Sequence, residues 1–300
     1  MTTRPSSACE RSIEAEMLAI STAILNVLPV KGRLAPSGIA EDIQLLVGSS
    51  ESPKSLMRRI NQVRLTDKYL EKRCQWFNKP DFNSLFSYQL CEEFVQAQRE
   101  HNPAILLFWH AGIMRGLFCV IKSLVPDITL IKSGKVFRQE SIGLQILETD
   151  DYSEQPMLKN ARLLKSALKL LQEHKMIGTF LDGTNGDSAI PLKFFNHTIN
   201  VQRGVSTLAR KTGIPVFPCI SRWDTTNKTF QLVIDSPINY TVGDRLSDLE
   251  WETRFLQLCV QRFQEHLKLF PEDMTSAAMY LVQKPAILNQ SSVVANGNAI

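Results

Sequence analysis

The sequence predicts an α/β fold: a mostly parallel central sheet flanked by helices, with a helical N-terminal region ahead of it. Three observations predict it. The apolar run Ala104-Ile105-Leu106-Leu107-Phe108-Trp109 stops abruptly at His110, the length and content of a buried strand. Further short apolar runs follow, each separated from the next by a segment with helical spacing. Gly, Pro and Asn punctuate the junctions, as in Asp182-Gly183-Thr184-Asn185-Gly186. Strands that alternate with helices bury both faces of a sheet, and that arrangement favours parallel pairing.

In chain order, residues 14–28 read as a helix stopped by Pro29. Gly and Pro between 32 and 38 mark a linker. Residues 39–46 and 53–63 carry helical spacing, and 67–77 suggests a further short helix. Residues 83–100 read as one amphipathic helix with Leu85, Phe86, Leu90, Phe94 and Val95 inward. From there the pattern is strand 104–109, helix 112–124, strand 127–132, a polar insert, helix 158–173 and strand 176–181. An extended piece at 189–195 precedes a helix over 201–212, stopped by Gly213. Strands 214–221 and 230–234 and a long helix over 245–270 complete the set. The expected organisation is one domain: a helical region over 1–100 packed on an α/β core over 101–274, with a disordered tail over 275–300.

Composition limits the partners. The formal net charge is +4, from 34 basic and 30 acidic residues, too little for counterion release to drive nucleic-acid binding. The six cysteines form no CxxC pair, and several lie in apolar runs. They read as buried thiols of a reducing compartment, with no metal site. The apolar stretch 17–30 is shorter than the roughly 20 residues a spanning helix needs. The expected location is cytoplasmic, with contact at the inner face of a membrane left open.

The chemistry gathers at strand ends. In a parallel sheet the turns that carry His110, Asp182 and the segment after Ile220 face the same edge, where α/β proteins bind ligands. His110 is able to take and return a proton near neutral pH. No G-x-S-x-G elbow, phosphate-binding P-loop or dinucleotide fingerprint occurs. His174 and His266 stand among charged residues on helices and read as solvated surface.

The order of motifs carries a resemblance. His110 ends an apolar strand. Phe180-Leu181-Asp182-Gly183-Thr184-Asn185, Pro191-Leu192-Lys193-Phe194-Phe195, Val201 to Gly204 and Gly213-Ile-Pro-Val-Phe-Pro218 follow in turn. Together they resemble the lysophospholipid acyltransferase superfamily, and most closely its branch of bacterial lipid A acyltransferases, over about residues 85–274. That family places its histidine in an H-x-x-x-x-[DE] motif. Here Arg115 stands in the acidic position, Asn185 where an arginine is frequent, and Asn196 in place of the glycine after Phe-Phe.

The resemblance implies transfer of an acyl group from a thioester, on acyl carrier protein or coenzyme A, to a hydroxyl or amine acceptor. No resident cofactor is implied, since the phosphopantetheine thioester is itself the donor substrate. His110 is the implied base. Asp182, Glu148, Asp150 and Asp151 are candidates to replace the missing acid, with Asp182 foremost. Candidate substrate-binding residues are Arg115, Lys132, Gly183, Thr184, Asn185, Lys193, Phe194, Phe195 and Arg203. The acceptor is a lipid outside the standard set or a specialised small molecule. The missing motif acid also keeps open a catalytically impaired acyl- or carrier-binding homologue, and water in place of the acceptor would make a thioesterase.

Overall fold

The computed structural model describes residues 38–73, 86–131, 145–147, 156–182, 189–224, 229–240 and 246–274. The expected helix at 14–28, the tail at 275–300, Lys132, Glu148, Asp150, Asp151 and Gly183–Asn185 lie outside them. The elements are α1 (Ile39–Val47), α2 (Pro53–Arg73), β1 (Phe86–Leu90), α3 (Glu92–Arg99) and β2 (Ile105–Phe108). Next come α4 (Met114–Leu124), β3 (Thr129–Ile131), β4 (Gln145–Leu147), α5 (Pro156–Gln172) and β5 (Ile177–Phe180). The chain continues through β6 (Ala189–Phe194), β7 (His197–Gln202), α6 (Gly204–Thr212), β8 (Val216–Asp224), β9 (Thr229–Ile234) and α7 (Asp248–Leu269), then a 3-10 turn at Pro271–Asp273.

The fold is mixed α/β, as the sequence predicts. Seven strands form one sheet in the order β1-β9-β8-β2-β5-β3-β4. Every neighbouring pair is parallel except β8 with β9. β2 lies between β5 and β8, and every residue of β2 is fully buried. Its alternation serves two cores. Ile105, Leu107 and Trp109 pack with α1, α2, α6, α7 and the β6–β7 hairpin. Leu106 and Phe108 pack with α3 and α4 on the other face. Burial on both faces explains the unbroken apolar run in the sequence.

Four local expectations are corrected. Residues 86–90 are an edge strand parallel to β9, rather than the first turns of a helix. Phe86, Tyr88 and Leu90 alternate with Ser87 and Gln89, and the open edge of β9 takes up their backbone groups. The two helices expected at 53–63 and 67–77 are one helix, α2. Residues 197–202 form a strand that pairs antiparallel with β6 through the two-residue turn Phe195-Asn196, with Phe195 at φ 51°. Strand β8 runs on to Asp224, so its end does not coincide with those of β2 and β5. Helix α7 starts in a complete capping box, with Ser247 and Glu250 bonding each other's backbone N–H.

Candidate active site

β2 and β5 are hydrogen-bonded neighbours in parallel register, Phe108 opposite Phe180. The residues that follow them therefore emerge side by side at the C-terminal edge of the sheet. His110 Nδ1 lies 2.8 Å from Asp182 Oδ1, and the backbone N–H of His110 donates to Asp182 Oδ2 at 3.1 Å. One carboxylate thus holds both the ring and the main chain of the histidine. With the Nδ1 hydrogen directed at Asp182, Nε2 is the basic nitrogen. The ring also stacks on Phe180, centroids 4.4 Å apart and planes at 23°.

The two groups differ sharply in exposure. The Asp182 side chain is 1% exposed and that of His110 39%, so the acid is sealed off while the ring meets solvent. Burial is the largest influence on His110 and pushes its pKa down. The hydrogen bond and the charge of Asp182 push it up and together prevail, so the ring titrates above the ordinary histidine value.

The loop after the histidine is fixed at every N–H from His110 to Ile113. His110 donates to Asp182, Ala111 to the Trp109 carbonyl at 2.7 Å, Gly112 to the Asp273 carbonyl at 2.6 Å and Ile113 to the Ser221 carbonyl at 2.9 Å. Ser221 returns its hydroxyl to the Ile113 carbonyl, and Ala111 forms a bridge with Met274. Gly112 has φ +66°, and a Cβ there would lie 1.9 Å from the Ser221 carbonyl oxygen. Only glycine fits such an approach. Behind this loop His266 Nε2 bonds Asp273 Oδ2 at 2.8 Å, with side chains 11% and 2% exposed. The expectation of a solvated His266 is thereby corrected: the 3-10 turn after α7 folds back over the ring.

The remaining candidates fall in several places. Arg115 lies in the first turn of α4, directly after the loop. Phe194 is fully buried beneath the site, stacked on Trp109 at 5.3 Å, with Phe195 against it at 4.9 Å. Lys193 is exposed, and its backbone N–H and carbonyl bond the Gln257 side chain. Arg203 donates from Nε to Glu252 at 2.6 Å. Glu252 is wholly buried and also takes Thr207 Oγ1 and Arg210 Nε, a knot that ties α6 to α7. Reading the sequence alone missed Phe180 as a ring support, and Ser221 and Asp273 as anchors of the loop. Phe180 precedes Asp182 by two residues and so shares its strand end, a usable signal. The two anchors accept from the loop's N–H groups through backbone carbonyls, which any residue supplies, though Ser221 also adds its hydroxyl to the Ile113 carbonyl.

At the carboxyl ends of parallel strands, a part-exposed histidine is backed by a buried carboxylate, an arrangement that is able to move a proton. A family model for bacterial lipid A biosynthesis acyltransferases matches residues 55–272, and the chain belongs to that family. Membership implies acyl transfer from an acyl donor to a lipid acceptor. No curated protein matches the chain. Among the described residues no helix is long and apolar enough to cross a membrane.

Proposed function

We propose that the protein transfers an acyl group from a thioester on acyl carrier protein or coenzyme A to a hydroxyl or amine, with His110 as general base and Asp182 as the carboxylate that orients it. The observation that carries this reading is the 2.8 Å contact between His110 Nδ1 and Asp182 Oδ1. Nε2 of His110 removes the proton from the acceptor as its oxygen or nitrogen attacks the thioester carbonyl carbon. The tetrahedral intermediate collapses, the C–S bond breaks, and the imidazolium returns its proton to the leaving thiolate. Asp182 stabilises that imidazolium. A positioned base of this kind contributes ~10²–10⁴-fold.

The family's motif acid is replaced by Arg115, and Asp182 serves in its place from the neighbouring strand. This exchange weighs against an impaired, binding-only homologue. α4 begins directly after the loop that bears the histidine, and its start carries no side-chain cap, so its free N–H groups and positive dipole end lie next to that loop in the chain. That end favours negative charge on the thioester oxygen, and backbone N–H groups around Gly183 would do the same. Arg115, Lys132 and Lys193 attract the anionic parts of the substrates, and the Phe194–Phe195 pair borders the acyl chain. The acceptor is a lipid or specialised small molecule met at the inner face of a membrane.

The test is incubation with acyl-carrier and acyl-coenzyme A thioesters across hydroxyl- and amine-bearing acceptors, with mass spectrometry of the products. Transfer that vanishes in His110→Ala supports the reading. Transfer unaffected by that substitution refutes the base role, and free fatty acid as the sole product makes the protein a thioesterase.

A further inference from the structure

The described residues hold two histidine–aspartate pairs, and the pairs differ in access. His110 bonds Asp182 through Nδ1 and keeps its side chain 39% exposed, open to a substrate. His266 bonds Asp273 through Nε2 at 2.8 Å, with side chains 11% and 2% exposed. A ring so enclosed meets protein rather than substrate, so its work is done through Asp273.

Local sequence explains the second pair. His266 lies in the last turn of α7, and Phe270 ends that helix with its N–H on the His266 carbonyl. Pro271 has no N–H to continue the helix, and it opens the 3-10 turn that carries Asp273 back to the ring. Asp273 then touches the catalytic loop twice. Its carbonyl accepts from Gly112, two residues past His110, at 2.6 Å. Its carboxylate stands against the same glycine, since a Cβ built on Gly112 would lie 3.6 Å from Asp273 Cγ.

The loop's two outside anchors are held unequally. Ser221 sits inside β8, where the ladder with β9 sets it opposite Leu232. Asp273 sits in a three-residue turn closed by local bonds, its N–H to the Phe270 carbonyl and that of Met274 to the Pro271 carbonyl. Side chains hold this turn from outside. Arg222 of β8 lies 3.4 Å over the Phe270 ring, and Arg59 of α2 lies 2.6 Å from Glu272. The Arg59 side chain is 32% exposed, so solvent screens that pair. His266 alone among these three grips Asp273 itself, and it does so out of solvent. Without its donor a buried carboxylate would lose its partner, and the turn would move outward to hydrate it.

We propose that His266 is a positioning residue for the His110 site: through Asp273 it holds the carbonyl that pins Gly112, and so sets the posture of the catalytic loop. The inference rests on the reading of His110 as the base.

The test joins amide hydrogen exchange, which needs no substrate, to turnover. Exchange is followed by NMR at Gly112 and in the centre of β2. Turnover is read as thiol released from acyl-carrier and acyl-coenzyme A thioesters in the presence of the hydroxyl- and amine-bearing acceptors. The variants are His266→Phe, which keeps a ring and removes the donor, His266→Gln, whose amide can reach Asp273, and the exposed control Lys268→Gln. In His266→Phe, Gly112 should exchange at least about tenfold faster while the β2 amides keep their rates, the mark of a local opening. Its kcat should fall about tenfold to a hundredfold, with KM within about twofold. His266→Gln should recover most of both losses, and Lys268→Gln should match the wild type. Gly112 exchange unchanged in His266→Phe overturns the proposal. So does faster exchange with wild-type kcat, or exchange that rises equally throughout β2, or a glutamine that rescues nothing. Should His266→Phe not fold, His266→Asn takes its place, too short to set a donor on Asp273, and wild-type exchange at Gly112 in that variant overturns the proposal. A Gly112 response without acyl transfer by the wild type refutes the catalytic reading and leaves the pin. Acyl transfer lost in His110→Ala yet unchanged in His266→Phe refutes the pin alone.

Discussion

Asp182 grips His110 at two points, the ring nitrogen Nδ1 through one carboxylate oxygen and the backbone N–H through the other. Ring orientation and loop position are thus set by one side chain that is itself almost wholly buried. A carboxylate attached to the ring alone would leave the main chain free to swing. Here the ring cannot turn toward substrate without keeping its register to β5.

Replacing Asp182 with Asn keeps the shape and reverses the donor logic. The amide NH₂ facing Nδ1 would make that nitrogen an acceptor and place the hydrogen on Nε2, which then cannot act as a base. Acyl transfer should fall ~10²–10⁴-fold, with folding retained by circular dichroism. Wild-type turnover in Asp182→Asn would show that the carboxylate only shapes the loop.

The pH profile follows from the raised His110 pKa. The base works only when neutral, so the rate should rise with pH through an inflection above the ordinary histidine value of about 6.5. Removing the Asp182 charge should move the inflection to lower pH. The same shift has a stability sign. A folded pKa above the unfolded one stabilises fully below the unfolded value, and that stabilisation disappears as pH rises through the folded value. NMR titration of the ring and the pH–rate profile check both. An inflection that stays put in Asp182→Asn would detach it from this pair.

Gly112→Ala should be among the most damaging small substitutions in the chain. The left-handed backbone alone costs about 1–2 kcal/mol. The added Cβ would also meet the Ser221 carbonyl oxygen at 1.9 Å, and that oxygen already accepts from Ile113. The expected result is a melting temperature lowered by at least about 4 °C and loss of acyl transfer. A variant with wild-type melting and turnover would contradict the close approach.

Glu252→Ala removes the centre of the α6–α7 knot and leaves Arg203 and Arg210 without that carboxylate. Breaking a buried pair in this way costs about 3–5 kcal/mol. Chemical denaturation should show that loss, while KM at a permissive temperature stays near wild type. A KM effect without a stability effect would favour Arg203 as a substrate contact over a purely structural pairing.

The pair at the centre of the site was legible because the signal is one-dimensional. An apolar run that ends on a polar residue marks the end of a buried strand, and parallel topology sends such ends to one edge. His110 and Asp182 both carry that mark. The anchors of the loop carry none. Ser221 and Asp273 accept through their carbonyls, so side-chain identity does not announce them. His266 was misread because its neighbours Glu265 and Lys268 suggest a wet helix face, while the chain after Phe270 turns back over it. Glu252 was hidden by the same logic, since a carboxylate in a charged helix reads as solvated until its arginines arrive from α6. Residues 85–95 fit both a helical and an alternating pattern, and the open edge of β9 decides for strand over 86–90.

The bond from Gly112 to Asp273 has a consequence for how the protein is made. The carbonyl that pins the histidine loop lies near the far end of the described chain, past the last long helix. A growing polypeptide made only through β2 and β5 carries His110 and Asp182, yet its loop lacks both outside anchors, Ser221 of β8 and Asp273. The loop is thus fully anchored only once the 3-10 turn after α7 has been made. A chain that stops before this turn would carry His110 and Asp182 without the carbonyl that pins Gly112.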